Sequence, residues 1–213
     1  MKQQRLDGLA DGIFAIVMTL LTFELRIPAI TPPVTDALLW QAFANLIPVL
    51  VSFILSFTLL FTYWRAHHFL ASVYSKTLTV GLANYNAFFF LFITLVPFSA
   101  RLLGEYGSTH VAVAVYGINV ILIGITLFLM RYHIETNHII EKAPITKADK
   151  RSGYIRILFP VFSAFVAIIL SFWSTTVSMA LFTIAILFNL LPASTNIIHH
   201  WLDSIFADDA EFI

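Results

Sequence analysis

The chain contains no cysteine. That excludes disulfides, a thiolate nucleophile and any iron–sulfur site. Charge is scarce as well: Asp, Glu, Lys and Arg make up 11% of the residues, where an ordinary soluble domain carries roughly a quarter. The twelve basic and twelve acidic side chains cancel, so there is no basic surplus for a nucleic acid to meet, and none is expected as a partner. No Asn-x-Ser/Thr glycosylation acceptor occurs. What fills the 213 residues is apolar: 59% are hydrophobic, and the mean hydropathy is +0.87. Such a chain takes the bilayer as its solvent, in helices of about 20 residues that cross ~30 Å of hydrocarbon.

Gaps between charged residues mark the spans. Lys2 and Arg5 ahead of an apolar run resemble a secretory signal, but Asp7 and Asp11 interrupt it and no small-x-small site precedes Pro28, so the segment is read as a first transmembrane helix. Pro28 and the Pro32-Pro33 pair close it, since proline cannot continue a helix. The second span holds Pro48 as a possible kink. From Ile157 to Leu202 no Asp, Glu, Lys or Arg occurs, a length of about 69 Å as one helix at 1.5 Å per residue, twice a bilayer. The polar cluster Ser171, Ser174, Thr175, Thr176 and Ser178 near its middle divides it in two. The expectation is an all-α membrane protein, a single unit over residues 1–213 with six transmembrane helices, at approximately 8–27, 38–64, 78–101, 108–131, 155–173 and 177–200.

Lysine and arginine set the orientation. Ten of the twelve fall at the start, between spans two and three, or between spans four and five, leaving only Arg26 and Arg101 on the other side. The positive-inside rule then places both termini in the cytoplasm. Glu135 to Ser152 reads as a charged cytoplasmic connector, and the tail carrying Asp203, Asp208, Asp209 and Glu211 as solvated.

Polar residues at membrane depth are the informative ones. Asp11 either binds a cation or relays protons, or it anchors a neighbouring helix; the pairing habit of buried charges favours the anchor. On a wheel of 100° per residue, Leu9, Gly12, Ile16, Leu20, Phe23 and Ile27 form one stripe, and Asp11 lies about 140° from Ile16. Histidines occur as adjacent pairs, His67-His68 and His199-His200. Neighbours on a helix point about 100° apart, so neither pair makes the i, i+4 ligand set of a helical zinc site. Trp64 to His68 reads as an interfacial anchor at the end of the second helix. Asn45, Asn84, Asn86, Asn119 and Asn189 are candidates to bridge helices. Thr79-Val80-Gly81 opens like a potassium-channel filter, but Leu82-Ala83 follows and no re-entrant helix precedes it, which rules that filter out. No nucleophile with a helical partner and no paired-aspartate motif is present, so no enzyme is expected, and no cofactor or bound metal.

Arg5-x-x-x-Leu9-Ala10-Asp11-Gly12-Ile13-Phe14-Ala15-Ile16, continuing to Thr19-Leu20-Leu21, resembles the opening helix of bacterial homologues of the lysosomal potassium channel, the transmembrane protein 175 family, whose signature is Arg-x-x-x-Phe-Ser-Asp. Trp64-Arg65-Ala66-His67-His68, and Asn84 through Phe92 to Pro97-Phe98, agree with it too. Leu9-Ala10 stands where the family has Phe-Ser, which removes a hydroxyl. The resemblance covers helices one to three by residue and four to six by topology. It implies a homotetramer in the bacterial plasma membrane, potassium-permeable and weakly selective among monovalent cations, with the first helix lining the pore and no re-entrant filter. Ile16, with Leu20 and Phe23, would form the constriction and Thr19 would act in ion selection. Arg5, Asp11, Trp64, His67 and His68 would form the anchoring network. On periodicity alone the Ile16 stripe reads first as a packing face; the resemblance makes it a pore wall. Two other readings stay open: a proton-coupled secondary transporter with Asp11 and His67 as relay, and a non-conducting structural subunit.

Overall fold

A computed structural model describes residues 3–75 and 77–190, with residue 148 described by its backbone alone. Lys2, Lys76, the end of the sixth span, His199-His200 and the acidic tail lie outside the described residues. The elements are α1 (Gln3–Leu20) with a 3-10 turn (Leu21–Glu24), α2 (Asp36–His68) with a π turn (Phe69–Tyr74), α3 (Val80–Thr94), α4 (Val96–Tyr106), α5 (His110–Thr136), α6 (Lys147–Leu170) and α7 (Thr175–Leu190). Among the described residues there is no strand, only an isolated bridge between Ser75 and Lys142. Five helical stretches are long and apolar enough to cross a membrane, with α3 and α4 counted as one, and α7 is a shorter apolar helix within the described residues. The protein is an all-α membrane protein, with six helices among the described residues when α3 and α4 are counted as one.

Threonine starts most of these helices. The hydroxyls of Thr35, Thr79, Thr109 and Thr146 accept the backbone N–H three residues on, at 3.4, 3.2, 3.3 and 3.0 Å. Each satisfies one of the orphan donors at a helix N-terminus. Pro48 leaves α2 unbroken. Pro97, by contrast, sits in the first turn of α4 just after the break at Leu95: proline offers no N–H to the turn before it and its ring crowds that turn. α6 and α7 are separated by Ser171–Ser174, within the serine–threonine cluster.

α5 is the central helix, with 56% of its membrane-length window buried against 28% for α1, α2 and α6. Gly117 and Gly124 allow α6 close. A Cβ on Gly117 would lie 2.7 Å from Ile168 Cγ1, and one on Gly124 would collide with Val161. The connector after α5 is more folded than its charge suggests. Ala143 N–H bonds Tyr74 O at 2.9 Å, Ile140 is buried, and Glu135 is held by Arg131 (3.1 Å), Lys150 (2.8 Å) and the Tyr154 hydroxyl (2.9 Å).

Candidate functional site

α1 packs against α2 and α3 with one face only. Leu6, Ala10, Phe14, Val17 and Leu21 are buried, the recurrence expected of a helix with a single packed stripe. On the other side Leu9, Gly12, Ile16, Leu20, Phe23 and Ile27 are all exposed, Ile16 by 60% and Phe23 by 68%. Phe23 lies in the 3-10 turn and Ile27 beyond it, so the α-helical wheel applies only as far as Leu20. Thr19 shares this open side. Its hydroxyl proton is directed at its own helix, toward the carbonyls of Ala15 (3.0 Å) and Ile16 (2.8 Å). The oxygen lone pairs are therefore left for whatever faces α1.

The anchoring residues form two clusters. In the first, Asp11 Oδ1 accepts the indole N–H of Trp64 at 2.9 Å, and the Trp64 ring stacks on His68 at 5.8 Å and 21°. Asp11 and His68 are exposed, so the carboxylate is tied across helices without being buried in the chain. In the second, His67 is 2% exposed. Its ring lies flat on Phe89 (5.1 Å, 9°) with Phe14 of α1 at 6.4 Å. His67 Nε2 is 2.6 Å from Asn86 Oδ1. Because the Asn86 amide N–H donates to Leu82 O at 2.8 Å, Oδ1 is the acceptor and His67 donates from Nε2. A buried polar pair in hydrocarbon has to satisfy itself in this way. Further along, Gln3 donates to the carbonyls of Ala71 and Ser75, the latter at 2.6 Å, pinning the start of α1 to the π turn. Arg5 is exposed on the first turns of α1.

The structure thus joins Asp11 to Trp64 and His68, packs His67 of α2 against Phe89 and Asn86 of α3, and leaves Ile16, Thr19, Leu20 and Phe23 on a separate open side. Asn86 is one of five candidate bridging asparagines in the sequence, with nothing to single it out; Phe14 and Phe89 entered only as members of the segments that resemble the family. Asp7, one helical turn before Asp11, was passed over, yet its Oδ1 is buried without a hydrogen-bond partner among the described residues. Among the described residues no three His, Asp or Glu side chains converge as metal ligands.

Residues 5–97 match the family model described as the endosomal/lysosomal potassium channel TMEM175. Over these residues the chain is similar to the TMEM175 family. That match takes in every residue of the open face and of both clusters. The likeness also runs beyond it. A potassium channel of Chryseobacterium sp. (strain P1-3) is 28% identical over 199 residues, covering 90% of this chain and 94% of the relative. A potassium channel of Chamaesiphon minutus is 31% identical over 115 residues, 53% of this chain and 56% of the relative. The crystal structure of a lysosomal potassium-selective channel TMEM175 homolog from Chamaesiphon minutus superposes with a TM-score of 0.74 at 25% identity, covering 88% of this chain and 95% of that one. The TMEM175 resemblance therefore includes α5 to α7 as well as the opening helices.

Proposed function

We propose that this chain is a member of the TMEM175 family and the single six-helix subunit of a homotetrameric, potassium-permeable and weakly selective cation channel in the bacterial plasma membrane, with both termini in the cytoplasm. The open face of α1 lines the pore, Ile16 with Leu20 and Phe23 forms the constriction, and Thr19 contributes to ion selection.

The composition of that open face is the observation that carries the reading. Apolar side chains facing outward cost nothing in a bilayer, because lipid tails are as apolar as they are, so exposure alone does not mark a pore. Residues 50–61 of α2 and 158–169 of α6 expose only large apolar side chains: Leu50, Val51, Ile54, Phe57 and Phe61 on α2, Leu158, Phe162, Phe165 and Ile169 on α6. α1 differs. Between Leu9, Ile16 and Leu20 it exposes Arg5, Gly8, Asp11, Gly12, Ala15 and Thr19. Small and polar residues facing hydrocarbon are costly and poorly packed, whereas a neighbouring subunit or a water-filled axis suits them.

Four Ile16 side chains around an axis make a hydrophobic neck that holds ions back by dewetting. Four Thr19 oxygens, their protons directed at their own helices, supply dipoles that replace part of an ion's hydration shell. No cage of backbone carbonyls is involved, so preference for potassium over sodium stays modest. Liposomes holding the purified protein should dissipate a potassium gradient at channel-like rates, and Ile16→Asn should speed the loss. Silence in both forms would point to a non-conducting subunit; flux strictly coupled to a proton gradient would point to a transporter.

A further inference from the structure

The α-helical part of α1 ends at Leu20, and Leu21–Glu24 continues it as a 3-10 turn. Such a turn has three residues per revolution, so side chains three apart eclipse. Leu21 and Glu24 therefore share one side, and it is the packed one: Leu21 is 1% exposed and the Glu24 side chain 20%. Thr22 and Phe23 take the other two directions and are exposed. The rotation of this turn thus decides where Phe23 points. Leu21 fixes it weakly, because an apolar contact has no direction and a lipid tail serves nearly as well. Glu24 fixes it with direction. Its Oε2 is shut off from solvent without a hydrogen-bond partner among the described residues, and Arg101 of α4 meets it with Nε at 3.5 Å.

α4 is a firm mount for that arginine. Ser52 of α2 donates to Ala100 O at 2.5 Å, and Asn119 of α5 donates to Ser99 Oγ at 3.0 Å. Beyond Arg101, a Cβ on Gly104 would lie 2.9 Å from Val49 Cα of α2. The residues on both sides of Arg101 are thus held to neighbouring helices. Glu105, one turn on, steadies the guanidinium by accepting from its Nε at 3.1 Å. We propose that Arg101 is a positioning residue for the constriction: through Glu24 it ties the outer turn of α1 to α4 and keeps Phe23 aimed at the open side. This role rests on the reading of the open α1 face as a pore wall.

The test compares potassium efflux from liposomes holding the full-length wild type, Arg101→Gln, Glu24→Gln or Glu105→Gln. If Arg101 and Glu24 acted only through their field on passing cations, removing the first would speed efflux and removing the second would slow it. Positioning gives both changes the same sign. Each should speed basal efflux, by roughly two- to five-fold for a part-exposed ion pair. Glu105→Gln removes an equal charge beside the same arginine and keeps an oxygen to accept its N–H, so efflux should match the wild type. The chain has no cysteine, so Glu24→Cys/Arg101→Cys can be bridged by a short bifunctional thiol reagent. The unbridged pair should leak faster than the wild type, and bridging should restore the wild-type rate. Opposite signs for the two single variants, unchanged efflux in both, or a leak that bridging leaves as it was would each overturn the proposal while a conducting wild type keeps the pore reading. Silence of the wild type and of Ile16→Asn alike would overturn the pore reading and this role together.

Discussion

α5 and α1 each carry two glycines, and the two pairs meet opposite surroundings. Gly117 and Gly124 of α5 sit under Ile168 and Val161 of α6, with no room for a Cβ. Gly8 and Gly12 of α1 have nothing within 4 Å of the place a Cβ would occupy. Inside a bilayer helices associate through close packing and polar contacts, since burying apolar surface away from lipid gains little. α5 has used its small residues within the chain, as the central helix that the others pack around. α1 docks mainly through large residues, Leu6, Phe14 and Val17 among them, and keeps Gly8, Gly12, Ala15 and Thr19 outside. A helix arranged this way within one protomer is suited to a contact that the protomer alone does not make.

The sharpest way to break the comparison is at the foot of α5. Arg131→Met removes the guanidinium from a nearly fully buried ion pair with Glu135 and should cost about 3–5 kcal/mol, seen as loss of the monodisperse peak in detergent. Lys150, also on Glu135, moderates that loss without abolishing it. Next comes Gly124→Leu, which overpacks α5 against α6 and should lower stability by roughly 1–3 kcal/mol. Gly12→Leu is its counterpart on α1. It should leave the protomer's own stability within ~0.5 kcal/mol while altering assembly mass or current; an equal loss at both glycines would mean that α1 is packed much as α5 is. Trp64→Phe deletes the donor to Asp11 at an exposed carboxylate, and a decrease of about 1 kcal/mol in thermal unfolding is expected. The smallest effect on stability belongs to Thr19→Val, under ~0.5 kcal/mol. Reversal potentials in planar bilayers should nonetheless show potassium and sodium permeabilities converging, and unchanged selectivity would remove Thr19 from the pathway.

Much of the architecture was legible in the order of residues. Charge gaps and prolines marked six helices because hydrocarbon sorts segments by their own transfer energy, largely without regard to neighbours. The stripe through Ile16 came from the 3.6-residue period, and from Leu9 to Leu20 it is exposed along α1, while Phe23 and Ile27 are exposed beyond the helix. The break at Leu95 was not seen: the charge gap runs across it, and only the position of Pro97 hinted at it. The segment from Glu135 to Ser152 read only as a charged connector, yet the Glu135 side chain is enclosed by its ion pairs with Arg131 and Lys150.

Partners were the part that sequence left open. Asp11 and Trp64 are 53 residues apart, and nothing local says that they meet. His67 and His68 are adjacent and chemically identical, yet one is enclosed by Phe14, Phe89 and Asn86 while the other lies exposed on Trp64. Sequence determined which segments enter the bilayer and which residues share a helical face, because those follow from transfer energy and a fixed 100° step. Only the tertiary structure decided which face α1 buries, which carboxylate finds an indole and which arginine meets Glu24. Those outcomes depend on how separate helices pack side by side, and their contacts join residues far apart in the chain.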